Sequence, residues 1–190
     1  IVKPKIGKGS KDIAIIKNTL DLSPYLGNKK FIAQEIIGDE SSEYTCGVFK
    51  SKFNYIEVIA MKRILKNGST SVAEVVSHPV IENYCKEIAK HIDTVGSFNI
   101  QLRICTKRQT PFCFEVNMRQ SGTTALRHTF GFKDCEAWIT EEVWNHSAKD
   151  LFNITPGIAV RYEEEVYFTK EKLTHLNQNN PTQMNQGLKK

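Results

Sequence analysis

A chain of 190 residues, 40% hydrophobic and 25% charged, is long enough for one sizeable core or two small lobes, burying roughly 70% of its unfolded surface. No apolar run reaches the length of a membrane span and no signal-peptide pattern opens the chain, which argues against a membrane protein or a secreted one and for the cytoplasm. The net charge of +5 and the pI near 8.9 suit an anionic ligand. The lysines are scattered, however, and the one dense cluster (Lys50, Lys52, Lys62, Arg63, Lys66) carries no recognition-helix or RNA-binding aromatic pattern, so nucleic acid is not the expected partner.

The five cysteines are odd in number and lack Cys-x-x-Cys spacing. They read as reduced, mostly buried thiols, not as a zinc site or a disulfide frame. None of the five histidines falls in a metal-ligand spacing or beside a serine or cysteine nucleophile pattern, so a hydrolase has no support.

The chain opens on Ile1-Val2-Lys3-Pro4, the middle of a strand without an initiating methionine, which predicts a piece of something longer. Ile6-Gly7-Lys8-Gly9-Ser10-Lys11 follows as a small basic loop. Its glycines let backbone N–H groups approach a phosphate and its lysines add charge. A plain flexible turn fits equally well, since this is not the Walker pattern and no helix opens after Ser10. Ile13-Ala14-Ile15-Ile16 reads as a returning strand, so the loop would tip a hairpin. Residues 19–28, with Pro24 and Gly27, form a short helix or turn. Phe31-Ile32-Ala33-Gln34-Glu35-Ile36-Ile37 is a strand, followed by the acidic loop Asp39-Glu40-Ser41-Ser42-Glu43.

Residues 44–49 and 55–65 are read as antiparallel strands turned at Lys52-Phe53-Asn54, and Asn67-Gly68 signals the next hairpin, into a strand over 70–77. Pro79 suits the first position of a helix. Val80, Ile81, Tyr84, Cys85, Ile88, Ala89 and Ile92 recur at helical spacing as its core stripe.

Two alternating runs follow, Phe98-Asn99-Ile100-Gln101-Leu102-Arg103 and Phe112-Cys113-Phe114-Glu115-Val116-Asn117, the period-2 signature of half-buried strands. Phe112, Phe114 and Val116 should share the core face, with Glu115 and Asn117 on the other. A symmetric hairpin sets Gln101 opposite Glu115 and Asn99 opposite Asn117, with Arg119 just beyond. A carboxylate with amide oxygens is a plausible half-shell for a hard cation whose remaining ligands are phosphates and water. The same alternation also fits a hairpin whose polar face simply meets water. Beyond it, a helix ends near Gly131 and another spans 134–144, its Trp138 and Trp144 in a core or at an interface. A last strand covers 157–168, and an Asn- and Gln-rich tail is predicted disordered.

Phe114-Glu115-Val116-Asn117-Met118-Arg119, with Gln101 upstream, resembles the metal-binding end of the ATP-grasp superfamily, most of all the ATP-binding domains of the carbamoyl-phosphate synthase large subunit and its stand-alone relatives. The family motif reads Glu-x-Asn-Pro-Arg, so Met118 departs from it and loses a rigid φ without losing a ligand. The resemblance implies an α+β fold of two lobes, with residues 1–35 in a partial small lobe, 36–170 in a large lobe and 171–190 disordered. It implies ATP and Mg²⁺ (or Mn²⁺) as cofactors, with Gln101, Glu115 and Asn117 on the metal and Arg119 and Arg63 as catalytic groups. Lys3 and the loop Gly7, Lys8, Gly9 and Ser10 would hold phosphates. Adenine would lie on the hinge Gln34, Glu35, Ile36 and Ile37, and Glu43 would take the ribose hydroxyls, with Glu40 as its competitor.

The implied chemistry is that of a carboxylate–amine ligase working through an acyl phosphate, with a small carboxylate and an amine or ammonia as partners. The family places a further basic residue and a whole domain ahead of where this chain begins. A missing upstream domain or a homo-oligomer is therefore expected, and the chain alone is expected to be inactive. The alternative is a module that binds ATP without ligating anything.

Overall fold

The computed structural model describes residues 1–6, 12–66, 68–105 and 107–162, the side chain of Glu40 excepted. The predicted phosphate loop Gly7, Lys8, Gly9 and Ser10, and the tail from residue 163, lie outside the described residues.

Among the described residues two sheets make the frame, one of two strands and one of six. β1 (Val2–Pro4) pairs antiparallel with β2 (Phe31–Ala33), and between them lies the short helix α1 (Thr19–Leu22), capped by Asn18. The large sheet has six antiparallel strands: β3 (Glu43–Lys50), β4 (Ile56–Lys66), β5 (Ser69–Val76), β6 (Gly96–Cys105), β7 (Thr110–Asn117) and β8 (Ile158–Val160). Their spatial order is β7-β6-β3-β4-β5-β8. The helix α2 (Pro79–Lys90) starts at Pro79 and is capped by His78. It covers one face of this sheet, where Ile81, Cys85 and Ala89 pack on Cys46, Val48, Ala60, Phe98, Ile100 and Leu102. Val80, expected in that stripe, is half exposed because it lies on the flank of the helix.

Short α3 (Thr124–Thr129) and α4 (Asp134–Trp144) follow β7, and α4 packs on the opposite face. There Phe49, Ile59, Met61, Ala73, Phe132 and Ala137 form a second core, with Trp138 packed against it and Trp144 largely exposed. Gly96 makes that packing possible, since a Cβ there would sit 2.6 Å from the Trp138 ring. Alternation of side chains along β3 and β6 is what separates the two faces. On the α4 side the row is Glu43, Thr45, Gly47 and Phe49 beside Arg103, Gln101, Asn99 and Ser97. Helices cover the Phe49 end of that row and leave the Glu43 end open.

Three expectations need correction. Residues 13–16 do not form a strand, because only Ala14 bridges Val2, while Ile13 and Ile15 are exposed. The strand expected over 31–37 stops at Ala33, since Gln34 pairs with Ile1 and the next residues run past β1 with no ladder to join. Phe112 and Phe114 do not sit on the core face. A β-bulge between Gln101 and Leu102 sets Leu102 against Cys113 and Arg103 against Phe112, so Cys113 packs on the α2 core and Phe112 turns to the open side. The extra residue, Phe114, reverses the alternation of the β7 residues before it and leaves Glu115 and Asn117 facing as expected.

The cysteines are free, but only Cys46 and Cys85 are buried, fewer than expected, and Cys105, Cys113 and Cys135 are partly exposed. A hydrogen bond with Cys85, followed by burial, raises the Cys46 thiol well above its ordinary value, and burial raises Cys113. A carboxylate anchors the far end of the sheet: Glu141 of α4 accepts from the hydroxyls of Ser51 (2.7 and 2.8 Å) and Tyr55 (2.6 Å) and from the Lys52 N–H. Burial, and after it the Glu141 bond, push the Tyr55 hydroxyl from 10.0 up to about 12. A raised pKa gives stability that is complete below the unfolded value and is lost as pH climbs through the folded one. Stability should therefore fall between pH 10 and about 12 more steeply in the parent than in Tyr55→Phe. Urea melts across that range test this, and equal slopes would refute it.

Candidate functional site

The open end of the α4-side face carries an ionic network. Glu43, at the start of β3, is 7% exposed, and Arg63 of β4 is 10% exposed. Arg63 donates to Glu43 Oε1 from Nε (3.0 Å) and Nη2 (2.6 Å), while Arg103 donates to Oε2 from Nε (3.0 Å) and Nη2 (2.8 Å). The same Arg63 Nη2 reaches Gln101 Oε1 at 2.7 Å. A carboxylate has about four acceptor positions, and these two guanidiniums take all four. Ribose hydroxyls would reach Glu43 only once an arginine turned aside.

Beside this network lie the metal candidates. The register sets Gln101 opposite Glu115 and Asn99 opposite Asn117. Asn117 donates its amide N–H to Glu115 Oε1 at 2.7 Å. That bond leaves the Asn117 carbonyl oxygen and Glu115 Oε2 for a cation, with Gln101 Oε1 shared with Arg63. The set is all oxygen, as Mg²⁺ requires, and contains one carboxylate. Among the described residues no group of three or more His, Cys, Asp or Glu could hold a metal ion. A cation here would therefore depend on phosphates and water for most of its shell, which is how Mg²⁺ sits with nucleotides.

Two cavities meet on Arg63, Gln101 and Glu115. One, of about 390 Å³, lies between the small and large sheets. Lys3, Gln34, Glu35, Ile36, Ile37, Glu43, Arg103, Phe112 and Phe114 line it, so the predicted hinge residues, the ribose candidate Glu43 and, of the phosphate candidates, Lys3 share one cleft. Lys3 spans it, donating Nζ to the Phe114 carbonyl at 3.2 Å. In the predicted adenine hinge, the Gln34 carbonyl already accepts from the Ile1 nitrogen at 2.9 Å. The other cavity, of about 280 Å³, is polar and contains Asn99, Asn117, Arg119 and Arg161.

A family model described as ATP-grasp in the biosynthetic pathway with Ter operon matches residues 29–166, well over half of the chain. The chain belongs to the ATP-grasp family. Solved structures share the fold. The ADP complex of an N5-carboxyaminoimidazole ribonucleotide synthetase superposes with a TM-score of 0.63 at 14% identity, covering 84% of this chain and 45% of that chain. A Staphylococcus aureus N5-carboxyaminoimidazole synthetase, also with ADP, gives 0.54 at 16% identity over 68% of this chain and 35% of its own. A Rhizobium etli pyruvate carboxylase gives 0.59 at 12% identity over 83% and 16%. This chain spans less than half the length of each. No curated protein matches it by sequence. No helix among the described residues is long and apolar enough to cross a membrane.

Within this ATP-grasp chain, sequence reading missed three site residues. Arg103 was visible only as the outward residue of an alternating strand. Phe112 was assigned to the core because a bulge leaves no mark in the pattern. Arg161 lies far along the chain beyond β8, and nothing local ties it to Gly122, whose carbonyl it contacts.

Proposed function

We propose that this chain is the nucleotide-binding module of an ATP- and Mg²⁺-dependent carboxylate–amine ligase, with residues 1–35 in its small lobe and 36–170 in its large lobe. The observation that carries the reading is the meeting of the two cavities at Glu115, Gln101 and Arg63. One cavity suits a nucleotide, the other suits a small polar acceptor, and the oxygen-ligand set lies between them. The carbamoyl-phosphate-synthase-like variant of the reading rests on the Glu115-x-Asn117-x-Arg119 spacing alone. A cytoplasmic location goes with it.

In this reading adenine lies along residues 34–37, with Ile36 and Ile37 giving apolar walls and backbone groups. Glu115 and Asn117 hold Mg²⁺ with Gln101 in support, and the ion supplies charge neutralisation to the triphosphate. Lys3 on one side and Arg119 on the other offer charge-assisted hydrogen bonds to phosphate oxygens. Arg63, held between Glu43 and Gln101, presents its guanidinium at the junction, where negative charge accumulates as an acceptor carboxylate takes the γ-phosphoryl group. An amine or ammonia then attacks the acyl carbon, forming the C–N bond as the C–O bond to phosphate breaks and phosphate leaves. The protein contributes positioning and fixed positive charge.

Glu115→Gln keeps the shape and removes the one carboxylate, so Mg·ATP binding should weaken by about tenfold or more, while the melting temperature without nucleotide hardly moves. Calorimetric titration of both proteins with Mg·ATP checks it, and equal affinities would remove Glu115 from the metal site. Turnover of ATP that depends on both an added carboxylate and an amine separates a ligase from a module that only binds ATP.

A further inference from the structure

The second cavity has more anion-binding capacity than a nucleotide uses. From its junction with the cleft at Glu115 and Arg63 it extends to Asn99, Arg119 and Arg161. The Arg63 guanidinium is committed to Glu43 and Gln101. Arg119 and Arg161 are not so committed: among the described residues neither pairs with a carboxylate. Arg119 donates Nη1 to the Gln120 carbonyl at 2.9 Å, and Arg161 donates Nη2 to the Gly122 carbonyl. Each contact uses a small part of a five-donor fork and orients the rest.

The floor gives an independent sign. Asn99 is wholly buried, and its Oδ1 accepts from the Thr45 hydroxyl at 3.0 Å. Among the described residues its amide nitrogen has no partner. Buried donors are rarely left unpaired, because desolvation is then uncompensated. A ligand oxygen in this cavity would complete it. With Arg119 turned to the nucleotide phosphates, the Arg161 guanidinium and the waiting amide still exceed what one carboxylate, with its two oxygens directed to the metal end, can satisfy.

Resting on the ligase reading above, we infer that this cavity receives the acceptor acid and that the acid carries a second anionic group, a phosphate or another carboxylate, bound by Arg161 with Asn99 beneath it. Arg161 lines this cavity and not the nucleotide cleft, which makes it a specificity residue for the acid.

The test is calorimetry on the full chain saturated with Mg·ADP at fixed ionic strength, using acetate, succinate and phosphoglycolate as probes. The two acids with a second anionic group should bind at least roughly tenfold tighter than acetate, the worth of one charge-assisted contact. Arg161→Gln should erase that preference and Arg161→Lys should retain part of it. Asn99→Asp, which sets a carboxylate in the floor, should reverse it. Which of succinate and phosphoglycolate binds tighter identifies the second group. Equal binding of all three acids, binding of none, or a preference that survives Arg161→Gln overturns the inference. So does a loss of Mg·ADP affinity in Arg161→Gln as large as the loss of acid affinity, since Arg161 would then be a brace. A parent chain that fails to bind Mg·ADP refutes the ligase reading itself, whereas Mg·ADP binding without a preference among the acids refutes only this inference.

Discussion

Arg127→Met should lower the free energy of unfolding by about 3–5 kcal/mol, the usual consequence of stranding one member of a buried ion pair. Arg127 and Asp134 are both 0% exposed and paired, and Ser97 bonds to each of them. The guanidinium also lies over the Phe132 ring, 5.7 Å from its centroid. Gly47 leaves the room, for a Cβ there would meet Arg127 Cδ at 2.7 Å. Methionine fills similar volume, so the loss should come from the unpaired Asp134 carboxylate, not from a cavity. The double variant Arg127→Met with Asp134→Leu should regain most of the stability, since a packed apolar pair often equals a buried ionic one. Urea melts of the parent, the two single variants and the double variant settle it. A single-variant loss below about 1 kcal/mol would mean that water reaches the pair. The effect should extend to function, because Arg127 Nη1 also reaches the Ser121 hydroxyl at 3.5 Å, and Ser121 lies in the turn after Arg119.

Glu43→Ala should have the second largest effect, on stability and on the cleft together. It removes the shared partner of two guanidiniums, one of them 10% and the other 24% exposed, and a loss of about 3 kcal/mol is expected in the absence of nucleotide. Mg·ATP should restore part of that loss, since its phosphates return negative charge to the freed arginines. Nucleotide should therefore raise the melting temperature more in the variant than in the parent. If Glu43 also reads the ribose once an arginine turns aside, the variant should no longer distinguish ATP from its 2′,3′-dideoxy analogue. Thermal shifts with both nucleotides measure the two effects separately. Unchanged discrimination assigns the hydroxyls elsewhere, and equal shifts in parent and variant would show that the freed arginines do not face the nucleotide.

Much of the frame was written locally. Period-2 alternation marks β6 and β7, the Lys52-Phe53-Asn54 turn lies where expected with Asn54 at φ 63°, and Pro79 opens α2. The α4 bounds, Asp134–Trp144, follow from helical spacing alone. The pairing of Gln101 with Glu115 and of Asn99 with Asn117 came from hairpin symmetry. These features depend on neighbours in the chain, and side-chain period and backbone preference act over a few residues.

What the alternation could not carry was decided by distant partners. The apolar run at residues 13–16 looks like a strand, yet a strand exists only where another backbone meets it, and only Ala14 finds one. The bulge beside Gln101 reverses which of Phe112 and Cys113 faces the core, because closing β7 over α2 favours the smaller side chain inside. Glu43 read as a free carboxylate for ribose, but folding brings Arg63 and Arg103, 20 and 60 residues away, onto both its oxygens. Arg161 lines the second cavity only because β8 pairs with β5 at the far edge of the sheet. The sequence alone determined β3 to β7, the helices α2 and α4 and the facing of Gln101 with Glu115, since these follow from local period and spacing. The tertiary structure alone decided which charges face one another across the cleft, since ion pairs and cavity walls join residues that no local pattern relates.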